Sequence, residues 1–283
     1  MAGILWLSSY PKSGNTWLRA YLANLFRNPE KPIPINELPN FALGDNFLVH
    51  YEKFSGKKAE DLSPEEIASL RPRVHEWFAT FQSDTVLVKT HNACVIAGGQ
   101  PLITPSATAG AIYVVRNPLD VAPSLAHHFR MTIQWAVDII CDERHALPAT
   151  EGQIEQILLN WSGHVESWTR TPFKRLHVMR YEDMVAKPFK TFGPLSKFFG
   201  LPHEPERIKK AIKFSSFREL KSQEDKGGFI EARPDGEAKF FRAGQAGGWR
   251  NALTEAQVEK VIENHRDVMR DFGYLGKDGK ARS

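Results

Sequence analysis

The stretch SSYPKSGNTWLRAYL (8–22) has residue types that suit an anion-binding turn. It follows the apolar run 3–7, typical of a buried strand, and ends in a helical pattern. The N–H groups and dipole at a helix N-terminus attract anions. Lys12 adds a charge, Thr16 a hydroxyl, and Gly14 a position that tolerates positive φ. We expect a phosphate-like ligand here; the alternative is an ordinary strand–helix turn with an exposed lysine.

This turn differs from the nucleotide-binding P-loop. Lys12-Ser13 matches the end of G-x-x-x-x-G-K-[ST], but Trp6 and Pro11 stand where that pattern has glycines. The glycine of this turn, Gly14, follows the lysine instead. The sequence therefore indicates either a phosphate-type loop of another kind or no phosphate loop at all.

Two further segments place reactive side chains at predicted strand ends, where open α/β sheets bind their ligands. VKTHNA (88–93) carries His91, and histidine is a residue type that can take a proton from a hydroxyl. In YVVRNPLDVAPSLAHHF (113–129), Arg116 suits bidentate capture of a phosphate. Taken alone, a histidine in the position of His91 is more often an ordinary polar loop residue than a base.

A fourth segment, FFRAGQAGGWRNALT (240–254), is rich in glycine, carries Arg242 and precedes the last predicted helix. Its simplest interpretation is a flexible surface loop. Its glycines would also let a backbone approach a ligand closely.

The elements that must position these residues follow an α/β rhythm. Four apolar runs (3–7, 85–88, 111–115 and 176–179) are predicted to be buried strands. Long helical patterns separate them, which predicts a mostly parallel central sheet with helices on both faces. We expect a single domain over 1–283.

Further boundaries follow from caps and apolar periodicity. A helix after the opening turn should stop at Asn28-Pro29, and another should start at Ser63-Pro64. A helix is expected to place the apolar residues of 152–168 on one face, and the last helix should span about 254–271. Segment 29–62 is interpreted as an excursion outside the core. His164 is expected to be a buried structural histidine.

Composition narrows the function classes. The 283 residues carry a formal charge of +4, with 25% charged and 42% hydrophobic residues, as in ordinary soluble proteins. This mild excess favours a solvated basic surface over a nucleic-acid interface, and also fits a small polyanionic ligand. Cys94 and Cys141 lack metal-ligand spacing, so reduced thiols and a cytoplasmic location are expected. No membrane span, secretory signal or membrane partner is predicted.

The four segments, in this order, resemble those of the PAPS-dependent sulfotransferases of the soluble, cytosolic type, where PAPS is 3′-phosphoadenosine 5′-phosphosulfate. YPKSGNTW is similar to that family's YPKSGTTW loop, and FRAGQAGGWRN to its FRKGxxGDWKN loop. NWSGHVESW and MRYEDM are similar to two further family motifs. The resemblance covers about residues 3–254. It implies a P-loop-NTPase-like sulfotransferase fold.

The resemblance also implies residue roles. The 5′-phosphosulfate would be held by Lys12, Ser13, Gly14, Asn15 and Thr16, and the 3′-phosphate by Arg116, Ser124, Arg242 and Gly244. Trp17 and Phe217 would sandwich the adenine, with Tyr181 and Ser215 as its polar contacts. His91 would deprotonate a hydroxyl or amine of a small-molecule acceptor, and Lys89 would assist it.

The resulting expectation is in-line transfer of a sulfuryl group from PAPS, with release of adenosine 3′,5′-bisphosphate (PAP). Lys12 would neutralise charge on the leaving phosphate oxygen. Because a sulfuryl group carries less negative charge than a phosphoryl group, no metal is expected. The alternatives are a P-loop kinase of a small metabolite and a nucleotide-binding module without catalysis.

Some residues depart from the family pattern. Ala243 stands where the family usually has a lysine, which removes one cationic contact to the nucleotide. Residues 250–259 fit the family's dimer segment only in part, which leaves a homodimer as one option. The acceptor is open: aromatic residues in 29–62, or the segments 92–110 and 130–147, would either line its pocket or pack their loops onto the core.

Overall fold

The computed structural model describes residues 3–232 and 239–282. Within them the strands are β1 (Gly3–Ser9), β2 (Leu43–Gly44), β3 (Thr85–Thr90), β4 (Ile96–Ala97), β5 (Gln100–Pro101), β6 (Thr108–Val115), β7 (Ala146–Leu147), β8 (Gln156–Ile157) and β9 (Leu176–Arg180). The α-helices are α1 (Asn15–Arg27), α2 (Leu38–Phe41), α3 (Val49–Ser55), α4 (Pro64–Phe78), α5 (Pro118–Phe129), α6 (Ile133–Cys141), α7 (Trp161–Thr169), α8 (Tyr181–Ala186), α9 (Pro188–Phe192), α10 (Pro194–Phe198), α11 (Pro205–Phe214), α12 (Phe217–Gly227) and α13 (Glu255–Asp271). Short 3₁₀ turns cover Ile35–Glu37, Ala59–Asp61, Pro105–Ala107 and Gly248–Asn251.

Five strands form the central sheet in the order β2-β3-β1-β6-β9. β3 pairs in parallel with both β1 and β2, with Gly3 opposite Thr85 and Leu43 opposite Val88. Every residue of β1 is buried, as is nearly all of β6, which is why they appear in the sequence as apolar runs without alternation. The predicted α/β class and the four predicted strands are confirmed.

The chain divides into two compact units, each assembled from several segments. The first comprises 1–10, 42–113 and 139–178; the second comprises 11–41, 114–138 and 179–283. In the first unit, the indole of Trp6 is fully buried and donates to the Thr108 hydroxyl at 2.9 Å. In the second, α1 contributes Ala20 and Ala23 to an apolar cluster with Leu220 and Phe241. The expected single domain stays a prediction.

Local signals placed most helix boundaries correctly. α1 ends at Arg27, and Asn28 adopts the left-handed conformation (φ 45°) before Pro29. α4 begins with a capping box: Ser63 accepts from the Glu66 N–H, and the Glu66 carboxylate accepts from the Ser63 N–H. Thr254 and Gln257 form the same arrangement at the start of α13. Among the helices described, none is long and apolar enough to span a membrane.

The helical face predicted over 152–168 is wrong in its first half. The helix starts only at Trp161, because the Asn160 side chain caps it by accepting from the Gly163 N–H. Before it, Leu159 has a left-handed φ of 63°, and the residues of β8 pair with β7. Tertiary pairing overrides the helical periodicity there.

Segment 29–62 is also more central than predicted. It supplies the sheet strand β2 and places Leu38, Asp45 and Tyr51 in the buried interior. Its many Pro, Asn and Gly residues concealed this because the buried pieces are short, with only two residues in β2.

Candidate active site

The turn between β1 and α1 has the backbone of an anion-binding loop. Gly14 is the N-cap of α1, with φ 106°, so no capping side chain takes up the N–H groups of the first turn. A Cβ added at Gly14 would lie 2.7 Å from the ring of Tyr181, which leaves no room for a larger residue. Ser13 is buried, and its hydroxyl has no hydrogen-bond partner among the described residues. A loop anion would supply one.

Lys12 brings an unusual cation to this loop. It has a left-handed φ of 65°, and its Nζ lies 3.8 Å from the centroid of the Phe240 ring. Burial, and secondly the charge of Arg116, lower the pKa of Lys12 to about 7, while Glu231 and Glu224 act in the opposite direction. Near pH 7 the ligand-free Lys12 side chain is therefore a mixture of the ammonium and the neutral amine, and a bound anion would favour the ammonium form.

Arg116 connects three of the predicted pieces within the second unit. Its Nη1 donates to the Lys12 carbonyl oxygen at 2.9 Å, and its Nη2 donates to the Gln245 carbonyl oxygen at 3.2 Å. Its guanidinium lies 4.2 Å from the centroid of the Tyr181 ring. The strand-end arginine thus joins the opening loop, the glycine-rich loop and a predicted adenine contact.

Two carboxylates that the sequence analysis did not assign hold the glycine-rich segment. Asp120 accepts from the Gly247 N–H at 2.7 Å and from the Trp249 N–H at 3.0 Å. Glu224 accepts from the N–H groups of Phe240 and Phe241 at 2.6 and 2.9 Å. The segment is therefore anchored by side chains of two helices, at its start and near its middle. The one sequence signal was the position of Asp120 in the first turn of its helix.

The aromatic residues predicted to contact the adenine pack against other rings or against nearby backbone. The Trp17 ring meets Tyr181 edge-on, with centroids 5.9 Å apart, and lies 5.7 Å from Phe192. Gly244 has φ 60°, and a Cβ there would collide with the Phe217 ring. Only glycine lets this backbone pass so close to Phe217.

The remaining residues that are predicted to contact the nucleotide differ in burial and in hydrogen bonding. Ser215 is buried and its hydroxyl donates to the Ala211 carbonyl oxygen at 2.9 Å, so it faces its own helix end. Ser124 is half-buried on α5, and Arg242 is exposed. Their ligand contacts, like all assigned roles, stay predictions.

In the first unit, His91 follows β3 directly, and its imidazole orientation is fixed. Nδ1 lies 2.8 Å from the Ser9 carbonyl oxygen. A carbonyl only accepts, so Nδ1 carries the hydrogen and Nε2 keeps a lone pair in the neutral ring. This is the tautomer that a general base acting through Nε2 requires. The predicted assistant, Lys89, is half-buried at the end of the same strand.

A buried polar network holds the backbone around His91. His164 lies 3.0 Å from the His91 carbonyl oxygen through Nε2 and 2.8 Å from the Tyr113 hydroxyl through Nδ1. Burial lowers the pKa of His164 to about 4, so it is neutral at pH 7. Its predicted structural role is confirmed.

Asp45 supports the same segment from the other side. Its Oδ2 accepts from the Thr90 hydroxyl at 2.7 Å and from the Asn92 amide at 3.1 Å. Burial raises the pKa of Asp45, against the opposing effect of these hydrogen bonds and of Arg71. The sequence analysis missed Asp45, because an aspartate in a polar stretch carries no sign of burial.

Several aromatic residues of 29–62 pack onto α4, which supports the core-packing alternative for them. His50 meets Phe78 edge-on with centroids 4.8 Å apart, and Phe54 lies 5.7 Å from Trp77. Phe47, by contrast, is 38% exposed. Phe47 is thus more exposed than the half-buried Phe41, His50 and Phe54 and the buried Tyr51.

Comparison with known proteins identifies the family. The model of the sulfotransferase domain family matches residues 4–273, so this chain belongs to that family, as its motifs predicted. It is 26% identical over 276 residues to flavonol 3-sulfotransferase from Flaveria bidentis, covering 91% of this chain and 78% of that protein. It is 25% identical over 277 residues to cytosolic sulfotransferase 13 from Arabidopsis thaliana, covering 93% and 76%.

Solved structures share the fold. A mouse sulfotransferase complexed with PAP aligns with a TM-score of 0.63 and 21% identity, covering 96% of this chain and 89% of the other. Retinol dehydratase in complex with androsterone and PAP aligns with a TM-score of 0.65 and 18% identity, covering 99% and 82%. The predicted fold class and enzyme class are confirmed.

Proposed function

We propose that this sulfotransferase takes its sulfuryl group from PAPS, transfers it to a hydroxyl or amine of a small-molecule acceptor, and releases PAP. The observation that carries this proposal is the convergence on Arg116. One guanidinium contacts the Lys12 backbone, the Gln245 backbone and the Tyr181 ring. The same side chain therefore lies against the loop proposed for the 5′-phosphosulfate, the glycine-rich segment proposed for the 3′-phosphate and a ring proposed for the adenine.

Each end of the nucleotide has its own set of residues in this proposal. The 5′-phosphosulfate lies against the N–H groups after Gly14, with Lys12, Ser13, Asn15 and Thr16 as side-chain contacts. The 3′-phosphate takes Arg116 and Ser124, with Arg242 and Gly244 from the loop that Asp120 anchors. Trp17 and Phe217 sandwich the adenine, with Tyr181 and Ser215 as its polar contacts.

The transfer step needs one base and one cation. His91 Nε2 removes the acceptor proton, the acceptor oxygen or nitrogen bonds to sulfur, and the bond from sulfur to the phosphate oxygen breaks. PAP leaves with that electron pair, and the Lys12 ammonium stabilises its new charge. Lys89 adds positive charge beside the base. PAPS supplies the leaving group, so the step needs no further reactant.

Within the described residues, no three His, Cys, Asp or Glu side chains group in a way that would hold a metal ion. Metal-independent transfer, a cytoplasmic location and a homodimer stay proposals.

A transfer assay tests the function. The full chain is incubated with PAPS labelled in its sulfuryl group and with panels of phenols, alcohols, amines and carbohydrates, with and without EDTA. We expect labelled product from at least one panel, unchanged by EDTA and abolished in Lys12→Ala. A strict magnesium requirement together with ATP turnover would replace this proposal with the kinase alternative. PAP binding without transfer to any panel would favour a non-catalytic module.

A further inference from the structure

Arg19 forms a buried hydrogen-bond network directly behind the anion loop. It lies on α1 and is 1% exposed. Its Nε donates to Asn15 Oδ1 at 3.1 Å, and its Nη2 donates to Thr16 Oγ1 at 3.1 Å. The spacings of four and three residues place all three side chains on one helix face. Thus one guanidinium contacts both polar side chains of the first helical turn.

Glu231 fixes this guanidinium. Its Oε1 accepts from Nη1 at 2.7 Å and its Oε2 accepts from Nη2 at 2.6 Å, which is a two-point ion pair. The Arg19 side chain is 2% exposed and that of Glu231 is 26% exposed. A buried arginine needs such a partner, and the paired geometry sets the plane of the fork. Lysine has no planar fork to replace it.

The hydrogen bonds from Arg19 determine which polar atoms of Asn15 and Thr16 are directed away from Arg19. The Thr16 oxygen accepts from Arg19, so its single hydrogen must be donated elsewhere. The Asn15 oxygen is turned toward Arg19, so its NH₂ end is turned away. Without Arg19, both side chains would rotate and bond to nearby backbone, as Asn and Thr at helix starts commonly do.

We infer that Arg19, locked by Glu231, is a positioning residue that holds Asn15 and Thr16 as hydrogen-bond donors toward the 5′-phosphate end of the nucleotide. This inference rests on the proposed function, and it adds two residues that need not touch the ligand. The effect of Arg19 should be confined to the 5′-phosphate. A purely structural arginine would affect both ends of the nucleotide equally.

The test compares two ligands that differ only at the 5′ position. PAP and adenosine 3′-phosphate are titrated calorimetrically into the full chain and into Arg19→Met. We expect PAP to bind about 10-fold more weakly to the variant, the scale of one charge-assisted hydrogen bond. Adenosine 3′-phosphate should bind within 2-fold of its affinity for the unaltered chain. Equal losses for both ligands would overturn the inference.

The same helix offers a matched control. Arg27 pairs with Glu37 at 2.7 Å, but both side chains are exposed (41% and 46%). Arg27→Met also removes an α1 arginine and breaks an Arg–Glu pair, so both affinities should stay unchanged. If Arg27→Met weakens PAP as Arg19→Met does, the effect is general to the helix and the inference fails.

A second pair of variants covers the case in which Arg19→Met does not fold. Arg19→Lys keeps the charge but not the fork, so it should lose PAP affinity selectively. In a Thr16→Val background, Arg19→Lys should lower PAP affinity by a smaller factor than it does in the unaltered chain. The reason is that the Thr16 hydroxyl, which Arg19 would position, is already absent. If Thr16→Val and Arg19→Lys lower PAP affinity by fully additive free energies, the inference is overturned. If the unaltered chain binds neither nucleotide, the proposed function fails. If it binds both, but the Arg19 variants weaken PAP and adenosine 3′-phosphate equally, only the inference about Arg19 fails.

Discussion

The segments around Lys12 and His91 each follow a strand of the central sheet, but they are built differently. The Lys12 loop is made of neighbouring residues: Gly14 sets the backbone, and the first turn of α1 supplies N–H groups. His91 depends on groups far away in the chain, namely the Ser9 carbonyl, His164 and Asp45. The comparison shows that the turn at Lys12 takes its backbone conformation from neighbouring residues and adds long-range contacts through Arg116, whereas the orientation of His91 depends on distant groups.

This difference predicts that single substitutions act differently in the two segments. His91→Ala should give the largest effect, because general base catalysis typically contributes about 10²–10⁴-fold. We expect that loss in turnover, while PAP affinity changes less than about 2-fold, because His91 is not among the residues proposed to bind the nucleotide. Steady-state kinetics with the best acceptor and calorimetry with PAP measure the two quantities.

His164→Phe provides the comparison for His91→Ala. It keeps the catalytic imidazole but removes the hydrogen bond to the His91 backbone. Its turnover should fall between those of the unaltered chain and His91→Ala. Turnover of His91→Ala equal to that of the unaltered chain would remove the base assignment.

The lowered pKa of Lys12 predicts that PAP binding is coupled to proton uptake. Because the pKa of Lys12 is lowered to about 7, roughly 90% of the amine is neutral at pH 8 in the ligand-free protein. Bound phosphate favours the ammonium, so PAP binding at pH 8 should take up close to one proton. Calorimetry in two buffers with different ionisation enthalpies measures this number. Uptake should decline toward pH 6, where the lysine is already charged.

Lys12→Arg is the matched variant for proton uptake, because arginine stays charged at these pH values. It should bind PAP without the proton uptake at pH 8. No uptake in the unaltered chain would show that the lysine is already charged before PAP binds, and the same uptake in Lys12→Arg would show that the proton goes to another group.

The smallest expected effect concerns the stability of the first unit in acid. Burial lowers the pKa of His75 to about 3 and that of His164 to about 4, whereas an unfolded histidine titrates near 6.5. Below pH 6.5 the unfolded chain therefore binds protons that the folded chain does not, and stability falls as the pH falls. The raised pKa of Asp45 opposes this trend.

We expect the unfolding temperature to drop by about 5 °C between pH 7 and pH 5. His75→Phe, which removes one of the titrating groups, should make that drop smaller. An identical drop in His75→Phe would mean that other groups control the acid sensitivity. Thermal unfolding followed by circular dichroism at both pH values decides between these outcomes.

Much of the fold was predictable because its signals are local. The four apolar runs became sheet strands, and Ser63 and Thr254 marked helix starts through their own side chains. The helix predicted from 152 failed because the Ile154 N–H donates instead to the Asn46 carbonyl oxygen, a partner more than 100 residues away. Such a contact leaves no periodic pattern in the sequence.

The site residues also divide into those that local sequence signals identified and those that depend on distant contacts. Lys12, Arg116 and the glycine-rich segment could be selected from residue type and position after a strand or before a helix. Asp120, Glu224 and Arg19 were missed, because each acts through a partner from a distant segment or through one specific side-chain geometry. Acidic residues on helices usually face solvent, so the sequence position of Glu224 indicated nothing unusual, and that of Asp120 indicated only a first-turn carboxylate.

The central claim, that this site recognises a PAPS-type nucleotide, is tested most directly by titrating PAP and adenosine 5′-phosphate into the unaltered chain and into Arg116→Ala. Charge-assisted hydrogen bonds to the 3′-phosphate, taken together as only about 3 kcal/mol, predict a roughly 100-fold preference for PAP. Arg116→Ala should erase most of that preference, whatever it does to overall affinity through the Lys12 carbonyl. Equal affinities of the unaltered chain for the two nucleotides would contradict the account.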